Sequence, residues 1–273
     1  MGFTMNKQYL DIKRHGLWVR LSHWLNVVPL FILVMSGFQI FNAHPHLYWG
    51  DRSDRDQAFF SIQSETTEEN KIKGELAILG HSFDTTGFLG ASTRSDGEVT
   101  RIAFPGWITI PGVQWLAMAR RWHLFFAWFF VLNGILFFLY SFCFGHFLKD
   151  LFPTWKEFGR IRKSLIDHVL FRHPKGEETA RYNILQKIAY LGVLFILAPL
   201  IILTGMAMSP RIDAIAPWLT VLFGGRQSAR SFHFISCFLF IGFFFIHIFM
   251  VFTTGVFNNL RSMITGRYRI QVK

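Results

Sequence analysis

The chain has 273 residues, of which 51% are apolar and 18% aromatic, 33 of them Phe. Only 16% are charged, against roughly 25% in a soluble domain, which excludes an ordinary water-soluble globule, a disordered tail and a disulfide scaffold. The net charge of +11 reports membrane orientation rather than a nucleic-acid partner, because no basic stripe lies on a soluble module.

Stretches free of Asp, Glu, Lys and Arg run over 21–50, 122–148, 188–210 and 231–260. Each exceeds the ~20 residues that a helix needs to cross a bilayer. The pattern predicts membrane helices near 17–42, 113–146, 186–208 and 231–257, since an open chain in lipid satisfies its backbone only as helix. The expected fold class is an all-α membrane protein, a four-transmembrane-helix bundle forming one membrane domain over residues 1–273. The first span reads as a signal anchor, being too long for a cleavable signal and lacking a small-residue cleavage site.

Between the first two spans lies a sizeable insertion, 43–112. It mixes turn residues with short β-like pieces such as Glu75–Leu79, and suits a small cap or a docking surface. The broken apolar runs 102–119 and 212–225 carry Pro105, Pro111, Pro217 and several glycines. They read as interfacial or re-entrant segments.

Basic residues set the expected orientation. Four Lys/Arg precede the first span, nine lie in 147–187 and four follow residue 257. Both termini and the 147–185 loop are therefore expected in the cytoplasm, with 43–112 in the periplasm. The eight basic residues of 43–121 are offset by ten acids, and a long translocated segment counts little.

Neither Cys143 nor Cys237 belongs to a CxxC pair or a CxxCH haem-attachment motif. No acid falls within a span, so no carboxylate pair or Ser/His/Asp set competes for the chemistry. Of eleven histidines, His15, His44, His46, His81, His168 and His173 fall in loops or flanks, where a solvated imidazole is the default. His23, His123, His233 and His247 lie inside or at the edge of spans, where ionisable groups are costly and usually functional.

His233 and His247 are fourteen residues apart, which leaves them ~40° apart around a helix and ~21 Å apart along it. His23 belongs to the inner level of the first span and His123 to the outer level of the second. Each level thus holds two histidines on different helices, as two bis-imidazole haems require. His23 and His247 would hold the inner iron, His123 and His233 the outer one. His146 lies ~140° round the second helix from His123 and suits the cytoplasmic interface instead.

Gly37, fourteen residues after His23, and Gly134, eleven after His123, would leave room for a haem plane against each helix. Packing of helices through small residues is the alternative for each glycine alone. Arg20, Arg121 and Arg230 stand beside the histidines and could hold haem propionates, or serve as snorkelling anchors. Two axial imidazoles close an iron to substrate and leave one-electron transfer as its chemistry.

The segments Arg20-Leu-Ser-His23-Trp24, Arg121-Trp-His123, Leu203-Thr-Gly205 and the His233/His247 pair resemble the bacterial b-type dihaem cytochromes of the hydrogenase and formate dehydrogenase kind (cytochrome b561-like). Trp49-Gly50, Phe104-Pro-Gly-Trp107 and Pro111-Gly112 are similar to the branch of thiosulfate reductase cytochrome b subunits. The resemblance covers the four spans and implies two non-covalent haem b groups in a bacterial inner-membrane subunit. Such a subunit exchanges electrons between the quinone pool and a periplasmic, molybdopterin-type oxidoreductase. The long insertion departs from the pattern and leaves the partner open. Two other classes remain at this point: a stand-alone superoxide:quinone oxidoreductase, with Arg120, Arg121, Arg226 and Arg230 as its basic funnel, and a haem-free membrane anchor or transporter.

Overall fold

A computed structural model describes residues 8–94, 96–145, 152–159, 161–169 and 183–272. The described chain opens with β1 (Gln8–Lys13) and enters α1 (Leu17–Phe41). Six strands follow: β2 (His46–Leu47), β3 (Phe60–Thr66), β4 (Ile72–Ile78), β5 (His81–Asp84), β6 (Gly90–Thr93) and β7 (Val99–Ile102). Next come α2 (Leu116–Cys143), α3 (Trp155–Phe158), α4 (Ile161–Val169), α5 (Ile184–Gly192) and α6 (Ala198–Ala207). The last elements are α7 (Pro210–Ile215), α8 (Pro217–Leu222), α9 (Arg226–Thr253), α10 (Val256–Thr265) and β8 (Arg267–Val272).

Among the described residues four helical stretches are long and apolar enough to cross a membrane: α1, α2, Ile184–Ala207 and α9. Their exposed faces are Phe-, Leu- and Trp-rich, including Trp128, Leu136, Ile196 and Phe245, a composition suited to lipid contact. The third stretch joins α5 to α6 through a π-helical turn, Val193–Leu197. Pro199 explains it: proline offers no N–H to the carbonyl four residues back, and the wider turn absorbs the lost bond.

The all-α expectation is corrected by eight strands among the described residues. Six belong to the 43–112 insertion, whose short alternating runs pair across turns instead of continuing as helix. The segment 102–119 holds only a short 3-10 turn, Gly106–Ile108, before α2. The segment 212–225 folds largely as the short helices α7 and α8. About half of the 147–185 loop lies outside the described residues, as do His146, His173 and the side chain of His168.

The chain divides into two compact units. The first comprises the described residues of Met1–Leu25, Asn133–Pro199 and Phe238–Lys273. In it β1 and β8 pair antiparallel, from Gln8↔Val272 to Lys13↔Arg267. Asp11 receives Arg261 at 2.5 Å and Arg269 at 3.0 Å, which ties the sheet to α10. Trp24 Nε1 donates to the Met263 carbonyl at 3.0 Å. Asn133 Nδ2 donates to the Ser22 carbonyl at 2.9 Å and joins α2 to α1.

The second unit comprises Asn26–Leu132 and Leu200–Cys237. Its sheet runs β2-β3-β4-β5, with β6 and β7 forming a separate hairpin. The core gathers Phe41, Leu47, Ile62, Ala103 and Phe104, with Phe38, Phe60 and Phe234 against it. Phe38 stacks on Phe104 with ring centres 4.2 Å apart, so the β cap shares aromatic side chains with α1 and α9. Asn42 binds both backbone groups of Phe104, at 3.1 and 2.7 Å.

The β cap also closes the start of α9. The Gly50 carbonyl accepts from Gln227 N and Ser228 N at 2.9 and 3.1 Å, and Asp51 Oδ1 accepts from Arg226 N at 2.9 Å. A carboxylate at a helix N-terminus satisfies unpaired N–H groups and complements the dipole.

Candidate functional site

In the second unit the rings of His123 (α2) and His233 (α9) have centroids 6.1 Å apart. In the first unit His23 (α1) and His247 (α9) have centroids 6.2 Å apart. Two imidazoles sharing one metal through bonds of about 2 Å have ring centres about 6 Å apart. Both sequence-predicted pairs are therefore brought to a separation that fits a shared metal. Among the described residues no cluster of three or more His, Cys, Asp or Glu side chains forms a metal site. Two-ligand sites suit a metal whose remaining ligands come from a macrocycle.

Neighbouring helices orient the His123/His233 pair in a repeated way. Ser36 Oγ donates to the Ile32 carbonyl at 2.6 Å and meets His123 Nδ1 at 3.0 Å. Thr204 Oγ1 donates to the Leu200 carbonyl at 2.7 Å and meets His233 Nδ1 at 3.2 Å. His233 Nδ1 also lies 3.0 Å from the Ile201 carbonyl, and Ser36 Oγ, already donating to a carbonyl, can only accept from His123 Nδ1. A carbonyl only accepts, so Nδ1 carries the proton in each ring and Nε2 keeps its lone pair. This is the tautomer that a metal-bound histidine needs, with a backbone partner fixing ring orientation.

The glycine following each hydroxyl residue makes room for the ring. A Cβ on Gly37 would lie 3.5 Å from His123 Cε1, and one on Gly205 would lie 3.2 Å from His233 Cε1. Gly37 thus abuts an imidazole directly, where the sequence reading assigned it a gap for the haem plane. Gly134 has open space at its Cβ position.

The His23/His247 pair has a different surround. Trp24 meets His23 edge-on at 5.1 Å, and Phe243 stacks on His247 at 5.9 Å. His23 Nδ1 is buried without a hydrogen-bond partner among the described residues. A buried orphan nitrogen is costly on its own, so the ring has a binding demand that the described residues leave unmet.

The arginines differ in how far the fold has used them. Arg20 donates to the Ile264 carbonyl. Arg230 donates to the His44 carbonyl and lies 5.5 Å over the Phe41 ring. Arg120 and Arg121 are exposed at the start of α2.

Sequence reasoning missed three features. Ser36 escaped notice and Thr204 stood only within the resembling segment Leu203-Thr-Gly205, with no role given, although Leu33-x-x-Ser-Gly37 and Ile201-x-x-Thr-Gly205 repeat one spacing that could have signalled both. Asn133 escaped as well. His44 and His46, expected in solvent, instead form a cluster with Tyr48, whose Oη lies 3.0 Å from His44 Nε2. His46 and Tyr48 are 7% and 1% exposed, and Ser231 Oγ fastens this turn by donating to the Tyr48 carbonyl at 2.7 Å. His15 is likewise buried.

A family model described as prokaryotic cytochrome b561 matches residues 14–266. A relative from Azospira oryzae, provisionally named protein-methionine-sulfoxide reductase subunit YedZ1, is 27% identical over 268 residues, spanning 96% of this chain and 100% of the relative. No solved structure matches.

Proposed function

The chain belongs to the prokaryotic cytochrome b561 family, and from that premise we propose that it is a dihaem membrane subunit carrying electrons between the quinone pool and a periplasmic oxidoreductase. The observation that carries this reading is the facing pair of His123 and His233 rings, 6.1 Å apart, whose Nδ1 atoms lie against Ser36 Oγ and the Ile201 carbonyl and so leave Nε2 for a metal. In this reading His123 and His233 hold one haem b and His23 and His247 the other. When bound, haem with both axial positions filled supplies a one-electron centre closed to substrate. Ser36 and Thr204 hold the outer rings in place, Gly134 leaves space beside the inner site, and Arg20, Arg121 and Arg230 offer cations for propionates.

The charge asymmetry of the loops supports cytoplasmic termini and a periplasmic β cap. The relative's name, a subunit of a reductase, supports a partnered role, and the family resemblance implies a molybdopterin-type partner. The exposed aromatic side chains of the cap, Trp107 and Phe88 among them, suit a protein interface. A second reading, oxidation of superoxide to oxygen with quinone taking the electron, rests on the exposed Arg120 and Arg121.

Purified protein from haem-replete cells is expected to give a reduced-minus-oxidised b-type spectrum and two haems per chain, reducible by a water-soluble quinol. A colourless preparation, or a single haem, overturns the dihaem reading. Superoxide-driven quinone reduction without a partner selects the second reading.

A further inference from the structure

A cavity of about 380 Å³ lies in the first unit, lined by Lys13, His15, Leu17, Arg20, Thr265, Gly266 and Arg267. We propose that it binds the phosphodiester of an anionic membrane phospholipid, through Lys13 and Arg267. This goes beyond electron transfer and holds whether or not the chain carries haem.

Charge is the first support. Among the described residues three long cations line the cavity and no carboxylate does. Along the β1–β8 ladder, Asp11 stands opposite Arg269 as an ion pair, but two residues on Lys13 stands opposite Arg267. Like charges directly across a sheet are destabilising. Among the described residues neither Lys13 nor Arg267 pairs with an acid, so an anion between them removes the repulsion.

Backbone geometry is the second support. Leu17, the first residue of α1, lines the cavity, and the free N–H groups of a helix start favour a phosphate oxygen. Gly266 closes α10 at φ +81°, where a Cβ would come 2.9 Å from the His15 carbonyl and 3.3 Å from Arg20 Nε. That Nε is buried without a partner. The residue at 266 has to be small to keep Arg20 in this wall of the cavity.

The surroundings identify the source of the phosphate. Leu17 and Trp18 are exposed at the entry to a membrane span. On α10, Phe257, Leu260 and Ile264 expose one apolar stripe, and Ile264 directly precedes the cavity residues Thr265 and Gly266. A stripe of this kind on a short helix beside a span lies in the membrane interface. A phosphodiester at that depth belongs to a lipid whose chains continue into the bilayer.

The test uses the full chain in detergent, as wild type and as the double variant Lys13→Gln/Arg267→Gln. Thermal unfolding midpoints are read against added phosphatidylglycerol, phosphatidylcholine and inorganic phosphate, with retained lipids counted by native mass spectrometry. Phosphatidylglycerol is expected to raise the wild-type midpoint more than phosphatidylcholine does. The double variant is expected to need at least ~10-fold more of it, while unfolding no earlier than wild type without lipid. Arg267→Lys should keep the response, and serves if the double variant does not fold. Equal responses in wild type and variant, or to the two lipids, overturn the proposal. An equal response to inorganic phosphate overturns the lipid as source and assigns a free anion. Loss of haem from the double variant, with no change in lipid response, hands the cavity to a propionate and overturns the proposal as well.

Discussion

Ser36 Oγ lies 3.0 Å from His123 Nδ1 while giving its own proton to the Ile32 carbonyl. The hydroxyl can therefore only accept from the imidazole, and the ring's other nitrogen stays unprotonated. Outer partners of this kind typically govern metal affinity by about 10–100-fold. Ser36→Ala and Thr204→Val should each weaken haem retention at the His123/His233 site by about that factor, leaving the His23/His247 component of the spectrum intact. Haem titration of the purified variants measures this, and wild-type retention in both would refute the orienting role.

His23→Ala and His247→Ala should each remove one haem and preserve the other. The centroids of these two rings are 6.2 Å apart, so deleting either leaves half a ligand set at that site alone. Pyridine haemochrome quantification reads the stoichiometry. Loss of both haems, or of neither, contradicts the pairing.

The cluster around His44 and His46 predicts a pH dependence. Burial lowers the affinity of both rings for a proton, and the charges of Arg230 and Arg55 lower it further; His44 acts on His46 in the same sense. Tyr48 Oη lies 3.0 Å from His44 Nε2. A histidine that resists protonation when folded leaves the unfolded chain with more bound protons below about 6.5. Its contribution to stability is present above that value and declines as pH falls through it. The unfolding midpoint of wild type should drop between about pH 7 and 5, and the double substitution His44→Gln/His46→Gln should flatten the drop. An unchanged slope would remove these two residues from the account.

Gly225→Ala should destabilise the second unit. Gly225 sits at φ +116°, and a Cβ there would meet the Gly50 carbonyl oxygen at 2.5 Å and Asp51 Oδ1 at 2.6 Å. These are the atoms that close the start of α9. Strain of this kind costs about 1–3 kcal/mol, and displacing Asp51 adds the loss of a helix cap. Thermal unfolding by circular dichroism tests it; a wild-type midpoint would show that the 48–51 turn yields freely.

The sequence alone determined the four membrane helices and the four histidines worth attention, because length, apolar content and helical period are local properties of consecutive residues. The rings paired from the sequence, His123 with His233 and His23 with His247, lie 6.1 and 6.2 Å apart. Tertiary structure decided what surrounds them. Ser36 and Thr204 act on rings 87 and 29 residues away, and hydroxyls within apolar runs look alike until a neighbouring helix presents its histidine. Gly50 and Asp51 close a helix about 175 residues later in the chain, and Asp11 pairs with Arg269 across 258 residues. The burial of His46, with His44 half-buried beside it, belongs to the same class. Each depends on which distant segment folds against it, and a contact of that kind has no periodicity along the chain to announce it.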